Sequence, residues 1–189
     1  PAPAPPPEPA PTTPPAVPPQ APVRIIPPVS PASQMLLNES RGHSAAGRYP
    51  QAAASIERAI RIEPRQPVLW LELGNIRLRK GDLLGAEEAF TAAHEHVWCP
   101  HPGLALVRLA EGRTTEAAGL IDRAIQHPLF VPSKERPPFN DLTLAPLLEA
   151  RVEIAAAMPD PVVAREAARA LAGIAQRFAT PWLEASAAL

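Results

Sequence analysis

Residues 45–64, AAGRYPQAAASIERAIRIEP, and residues 79–98, RKGDLLGAEEAFTAAHEHVW, carry one pattern written twice. Gly47 aligns with Gly81, Ala52 with Ala86, Ile56 with Phe90 and Ala59 with Ala93, each at an offset of 34 residues. Leu36 and Trp70 carry the same phase upstream. A third copy follows at Gly112, Ala117, Ile121 and Ala124, offset by 31 residues. A period of this size marks stacked supersecondary units. Each unit reads as a helix, a turn at the glycine and a second helix. The small alanines let two backbones approach, and the larger Ile or Phe between them fills the gap to the next unit. One such hairpin cannot bury its own apolar face, whereas about three or more stacked together can.

The flanking sequence extends the pattern less regularly. LTLAPLLEARVEIAAA, residues 142–157, and PVVAREAARALAGIAQRF, residues 161–178, have apolar residues at helical spacing. Between them, Asp160 is expected to cap the second helix and Pro161 to open it, with Pro159 standing where glycine stood earlier. Thr180-Pro181 repeats the start signal and opens a partial helix over 181–189, which favours a truncated parent over a capping helix. The connection HPLFVPSKERPPFND, residues 127–141, is long, with Phe130 and Phe139 expected to pin it to the helices. A gating role toward a partner is the sharper alternative. At the other end, 15 of the 28 prolines fall in residues 1–31. Proline fixes φ and donates no hydrogen bond, so this segment is expected to be an extended, disordered spacer outside any helix. The repeats are expected over about 33–66, 67–100, 101–126 and 142–178, in one domain spanning 32–189.

Composition narrows the chemistry. Ala is the commonest of the 189 residues, with 36 copies, and aromatics make up 4%. Ala and Leu favour helix, and alternating β-branched runs are nearly absent. Residues 32–126 hold 11 basic and 11 acidic side chains, so no segment makes nucleic-acid contact the default. No apolar run approaches the roughly 20 residues that span a bilayer. The single Cys99 forms no internal disulfide. The chain opens on Pro, so a processed or trimmed product is expected, with any signal peptide upstream. Phosphate-binding and metalloprotease motifs are missing. HEHVWCPH brings His94, His96, Cys99 and His101 close in sequence, and these residue types suit zinc. However, His94 and His96 point about 200° apart on a helix, so the favoured reading is a helix C-terminus whose histidines suit the dipole. The pairs Glu87-Glu88, Glu149 with Glu153, and Arg165 with Arg169 read as solvated faces. No enzyme activity and no cofactor are expected.

Trp70, Leu73, Gly74, Gly81, Ala86, Phe90 and Ala93 together resemble the signature of the tetratricopeptide repeat family. Gly47, Tyr49, Ala52, Ile56, Ala59 and Pro64 match its later half in the first copy. Glu39 and Ser40 stand where Leu and Gly are usual, Arg77 where Tyr is usual, and Trp98 where Pro is usual. The resemblance implies an all-α, right-handed solenoid of about four helical hairpins. It also implies a concave groove, lined by the first helix of each hairpin, that takes a protein or peptide ligand. Carried over, the binding residues are Asn38, Arg41, Leu71, Asn75 and Arg79, with Leu37, Glu72 and Leu78 beside them. The proline-rich start running into the first repeat is similar to bacterial repeat lipoproteins, which implies a periplasmic or outer-membrane location and an upstream lipid anchor. The second half is similar to the repeat sensor regions of large bacterial helix-turn-helix activators. That likeness implies a cytoplasmic fragment sensing an effector or a protein, and both parentages stay open.

Overall fold

The computed structural model describes residues 27–96, 99–126, 141–158 and 161–178. Among them the fold is all-helical: α1 (Pro31–Ala45), α2 (Tyr49–Ile62), α3 (Pro67–Lys80), α4 (Leu83–Glu95), α5 (Gly103–Ala110), α6 (Thr114–Gln126), α7 (Asp141–Ala156) and α8 (Pro161–Phe178). The helices pack as consecutive pairs, α1 on α2, α3 on α4, α5 on α6 and α7 on α8. Each pair meets the next through α2 on α3, α4 on α5 and α6 on α7. The odd-numbered helices also touch in series, α1 to α3, α3 to α5 and α5 to α7.

Proline opens helices here. α1, α2 and α3 carry it in their first two positions, where the missing N–H would find no intrahelical partner anyway. The end of the proline-rich segment therefore departs from the expected spacer, because Pro31 is the first residue of α1. Ser30 caps that helix by accepting from the Ser33 N–H at 3.4 Å. Residues just ahead are tied down as well. Gln66 Nε2 donates to the Pro27 carbonyl at 2.8 Å, and the Ser30 N–H and hydroxyl donate to the Glu63 carboxylate at 3.2 and 3.0 Å. Burial pushes the Glu63 carboxyl up, but the Ser33 and Ser30 hydroxyls outweigh it and leave the group below its ordinary value. Trp98, Phe130, Phe139, Pro159, Asp160 and the 181–189 segment lie outside the described residues.

The turns that follow α1, α3 and α5 share one construction. Gly47, Gly81 and Gly112 have φ of 70°, 84° and 78°. The Gly81 N–H donates to the Leu78 carbonyl at 3.0 Å, and the Asp82 N–H to the Arg77 carbonyl at 2.9 Å. Gly47 with Arg48, and Gly112 with Arg113, repeat both bonds. This closure needs a left-handed residue, which glycine supplies without a Cβ clash.

Packing follows the repeat. Ala52, Ala86 and Ala117 are fully buried, as are Ile56 and Phe90; Ile121, Ala59, Ala93 and Ala124 are buried beside them. Phe90 fits because a neighbour is small: a Cβ on Gly74 would lie 2.6 Å from its ring. Ser40 holds the equivalent position in α1, where it is buried and donates to the Ala52 carbonyl at 2.9 Å. Arg77, standing where an aromatic is usual in the resembled family, ties three helices together. It donates to the Gly85 carbonyl at 3.0 Å and lies 3.6 Å from Glu57 on α2 and 3.8 Å from Glu88 on α4.

Candidate functional site

A cavity of about 730 Å³ opens between the odd-numbered helices α1, α3, α5 and α7. It is built from one set of repeat positions. Arg41, Asn75 and Leu106 line it at one position, Ser44, Leu78 and Leu109 at the next, and Ala45, Arg79 and Ala110 at the third. These triplets follow the same offsets of 34 and 31 residues that relate the turn glycines. α7 closes the far side with Pro146, Glu149, Ala150 and Glu153, which recur at helical spacing on one face.

The walls differ in charge. On the α1 and α3 side, Arg41 Nε lies 3.4 Å from Glu72 Oε2, with Arg41 largely in solvent and Glu72 mostly covered. Beside this pair, Asn75 and Arg79 sit one turn apart on α3 and are exposed. Neither side chain has a hydrogen-bond or ion-pair partner among the described residues. The floor on α5 is apolar, formed by Leu106, Leu109 and Ala110. On the α7 side, Glu149 and Glu153 have no ion-pair partner among the described residues either.

Of the residues expected at the site, Arg41, Glu72, Asn75, Leu78 and Arg79 come together in this cavity. Leu71 is placed elsewhere. It packs inward against Ala93 and against the cluster of Ala86, Phe90 and Val107. Leu37, its equivalent one repeat earlier, is likewise buried in the core. Asn38 is exposed and accepts from Gln34 Nε2 at 3.0 Å, one turn short of where α1 meets the cavity. The α5 floor could have been found by carrying the 31-residue offset on from Asn75, Leu78 and Arg79. Glu149 and Glu153, expected on a plain solvated face, line the cavity instead.

Other candidates fall outside it. Glu87 does not face open solvent with Glu88 but pairs with Arg108 of α5. The Arg108 hydrogen bond holds the Glu87 carboxyl below its ordinary value, and burial opposes this only in part. Arg165 is exposed and donates to the Pro161 carbonyl of its own helix at 3.1 Å; Arg169 is exposed too. Among the described residues no three His, Cys, Asp or Glu side chains are grouped to hold a metal ion. Burial pushes the His101 imidazole below its ordinary value, and the nearby Arg123 and His94 act in the same direction.

The arrangement can hold a ligand by an amide that both donates and accepts, by a guanidinium fork and by two carboxylates across an apolar floor. Among the described residues no helix is long and apolar enough to cross a membrane. No protein-family model matches the chain, and no curated protein matches it.

Proposed function

We propose that the chain is a non-catalytic protein-interaction scaffold. In this reading it is a right-handed solenoid of about four tetratricopeptide-like hairpins, binding an extended peptide of a partner protein in the groove between its odd-numbered helices. The observation that carries this is the repetition within the lining: positions 41, 75 and 106, then 44, 78 and 109, then 45, 79 and 110, face one cavity. A surface assembled by repetition runs across several units, which suits a ligand that is itself extended. Such a ligand brings unpaired backbone groups, and Asn75 supplies both a donor and an acceptor for them. The proline-rich composition of residues 1–26 supports a spacer role, and with it a tethered placement in a bacterial envelope.

Selection of random phage-displayed peptides on the immobilised chain, followed by titration of the winners, tests the groove. Asn75→Ala and Arg79→Ala should each weaken binding by about 1–3 kcal/mol, the scale of a lost buried or charge-assisted hydrogen bond. Equal binding by the parent and the double variant would place the interaction elsewhere.

A second reading, a sensor of a small effector within a transcriptional activator, draws on the cavity's volume. About 730 Å³ falls within the range of small-molecule sites. Thermal shifts with a metabolite library, abolished by the same double variant and paired with no peptide selection, would favour it.

A further inference from the structure

We infer that the peptide taken by this groove carries a lysine or arginine whose cationic head is held by Glu149 and Glu153 of α7. This rests on the groove reading above and adds the chemistry of the ligand. The two glutamates are one turn apart on α7 and share its groove face. Like charges at that spacing repel, and no cation of the described chain offsets them.

Their lack of a partner sets them apart from other carboxylates at helix contacts. Glu57 lies against Arg77, Glu72 against Arg41, Glu87 against Arg108, and Asp122 lies 3.0 Å from Arg151. Arg151 is the arginine of α7 itself, and it is engaged with α6 on the side away from the glutamates. Across the groove, Arg41 is engaged with Glu72, and Arg79 reaches neither α7 carboxylate. The lining thus holds two arginines against three glutamates, with the uncompensated negative charge on α7.

The floor between the walls completes the match. Leu106 and Leu109 present apolar surface between the arginine side and the glutamate side. A lysine or arginine side chain has an aliphatic stem and a charged head, and it favours a surface where the stem lies on apolar groups while the head reaches a carboxylate. A neutral or acidic side chain there would leave both carboxylates without a counter-charge in a partly closed groove.

The test uses the full chain and random peptides displayed on phage. Three variants separate the groove from its charge: Ala110→Trp blocks the floor from an exposed position, Glu149→Gln with Glu153→Gln removes the charge, and Glu149→Lys with Glu153→Lys inverts it. Far-ultraviolet circular dichroism confirms that each variant is folded. The expected result is that selected peptides share a lysine or arginine and lose binding to Ala110→Trp. They should bind the double Gln variant about tenfold or more weakly, as for a lost hydrogen bond to a charged group, and weaken with added salt. The double Lys variant should select acidic peptides instead, while Glu166→Gln on α8 leaves affinity unchanged.

Peptides that are blocked by Ala110→Trp but lack a basic residue, or that bind the double Gln variant as well as the parent, overturn the inference and leave the groove reading standing. A synthetic peptide of residues 1–26 whose binding is abolished by Ala110→Trp also overturns it, since the occupant is then this chain's own segment. Selection of no peptide, or of peptides indifferent to Ala110→Trp, removes the groove reading and this inference with it.

Discussion

The helices α1 to α4 and the helices α5 to α8 are built from similar residues but not to the same rule. In the first half the helix lengths are 15, 14, 14 and 13 residues, and equivalent positions do equivalent work. One apolar cluster runs through all four helices, from Leu37 through Ile56, Leu69 and Ile76 to Ala89. In the second half the lengths are 8, 13, 16 and 18, and Pro146 interrupts the interior of α7. Its core divides into a cluster around Ile121, Leu147 and Ile154 and another around Leu148, Leu171 and Ile174. Constant spacing lets one repeat position serve the same neighbour each time. Once the spacing changes, each helix settles against whatever face its connection delivers. The halves meet where Phe90 of α4 packs with Val107 and Leu104 of α5, and where Glu87 meets Arg108.

The largest expected effect breaks the molecule at that junction. Phe90 is fully buried, and Phe90→Ala should cost about 3–5 kcal/mol through lost burial and the cavity left behind. Ile121→Ala, buried wholly within the second half, should cost about 2–5 kcal/mol. The difference between them is in the shape of unfolding as well as its midpoint. Urea titration followed by circular dichroism should show Phe90→Ala broadening or splitting the transition as the halves uncouple, while Ile121→Ala shifts it. A single sharp transition in both would mean that the coupling between halves runs through other contacts.

A pair of glycine substitutions sharpens the contrast at smaller scale. In α3, a Cβ on Gly74 would lie 2.6 Å from the Phe90 ring, so Gly74→Ala should overpack the site and cost about 1–3 kcal/mol. In α8, a Cβ on Gly173 meets nothing within 4 Å. Gly173→Ala should therefore stabilise by roughly 0.5–1 kcal/mol through helix propensity alone. Thermal melts should move in opposite directions. A Gly74→Ala variant as stable as the parent would mean that the Phe90 ring yields without loss.

What could be read from the sequence follows the same division. The turns at Gly47, Gly81 and Gly112 were legible because a left-handed backbone leaves few alternatives to glycine. The buried Ala and Ile positions were legible because two copies in phase fix a face. The α1 and α3 side of the groove followed from that phase, at Arg41, Asn75 and Arg79. Leu71 was misplaced because a leucine on the first helix suits either a groove or a core, and only its contact with Ala93 decides. Asn38 was included because Glu72, its equivalent, does reach the groove; α1 reaches it one turn later. Glu149 and Glu153 were seen only as a helical pair. Their register against α3 depends on the 127–140 connection, which has no counterpart in the repeat. Arg77 carried no sequence sign of its role, since a lone arginine does not reveal which carboxylates surround it in space.

The smallest expected effect concerns the charge contact across the junction. Arg108 of α5 pairs with Glu87 of α4, with Glu111 in the turn and with Glu116 of α6. The hydrogen bond from Arg108 lowers the Glu87 carboxyl from its ordinary value of 4.5. A carboxyl that is lower in the folded state than in the unfolded one contributes stability fully above the unfolded value. That contribution is lost as pH falls through the folded value. Glu87→Gln removes the titrating group while keeping its shape. The variant should therefore be less stable than the parent above pH 4.5, and the two should converge as acid protonates Glu87 in the parent. The Glu87 side chain is 34% exposed and Arg108 15%, so solvent screens the pair and the gap should stay below about 1 kcal/mol. High salt should narrow it further. Chemical denaturation of both proteins across the acid range measures the gap directly. A gap that persists unchanged into acid would show that Glu87 acts through packing against α5, and that the junction is held by Phe90 without help from charge.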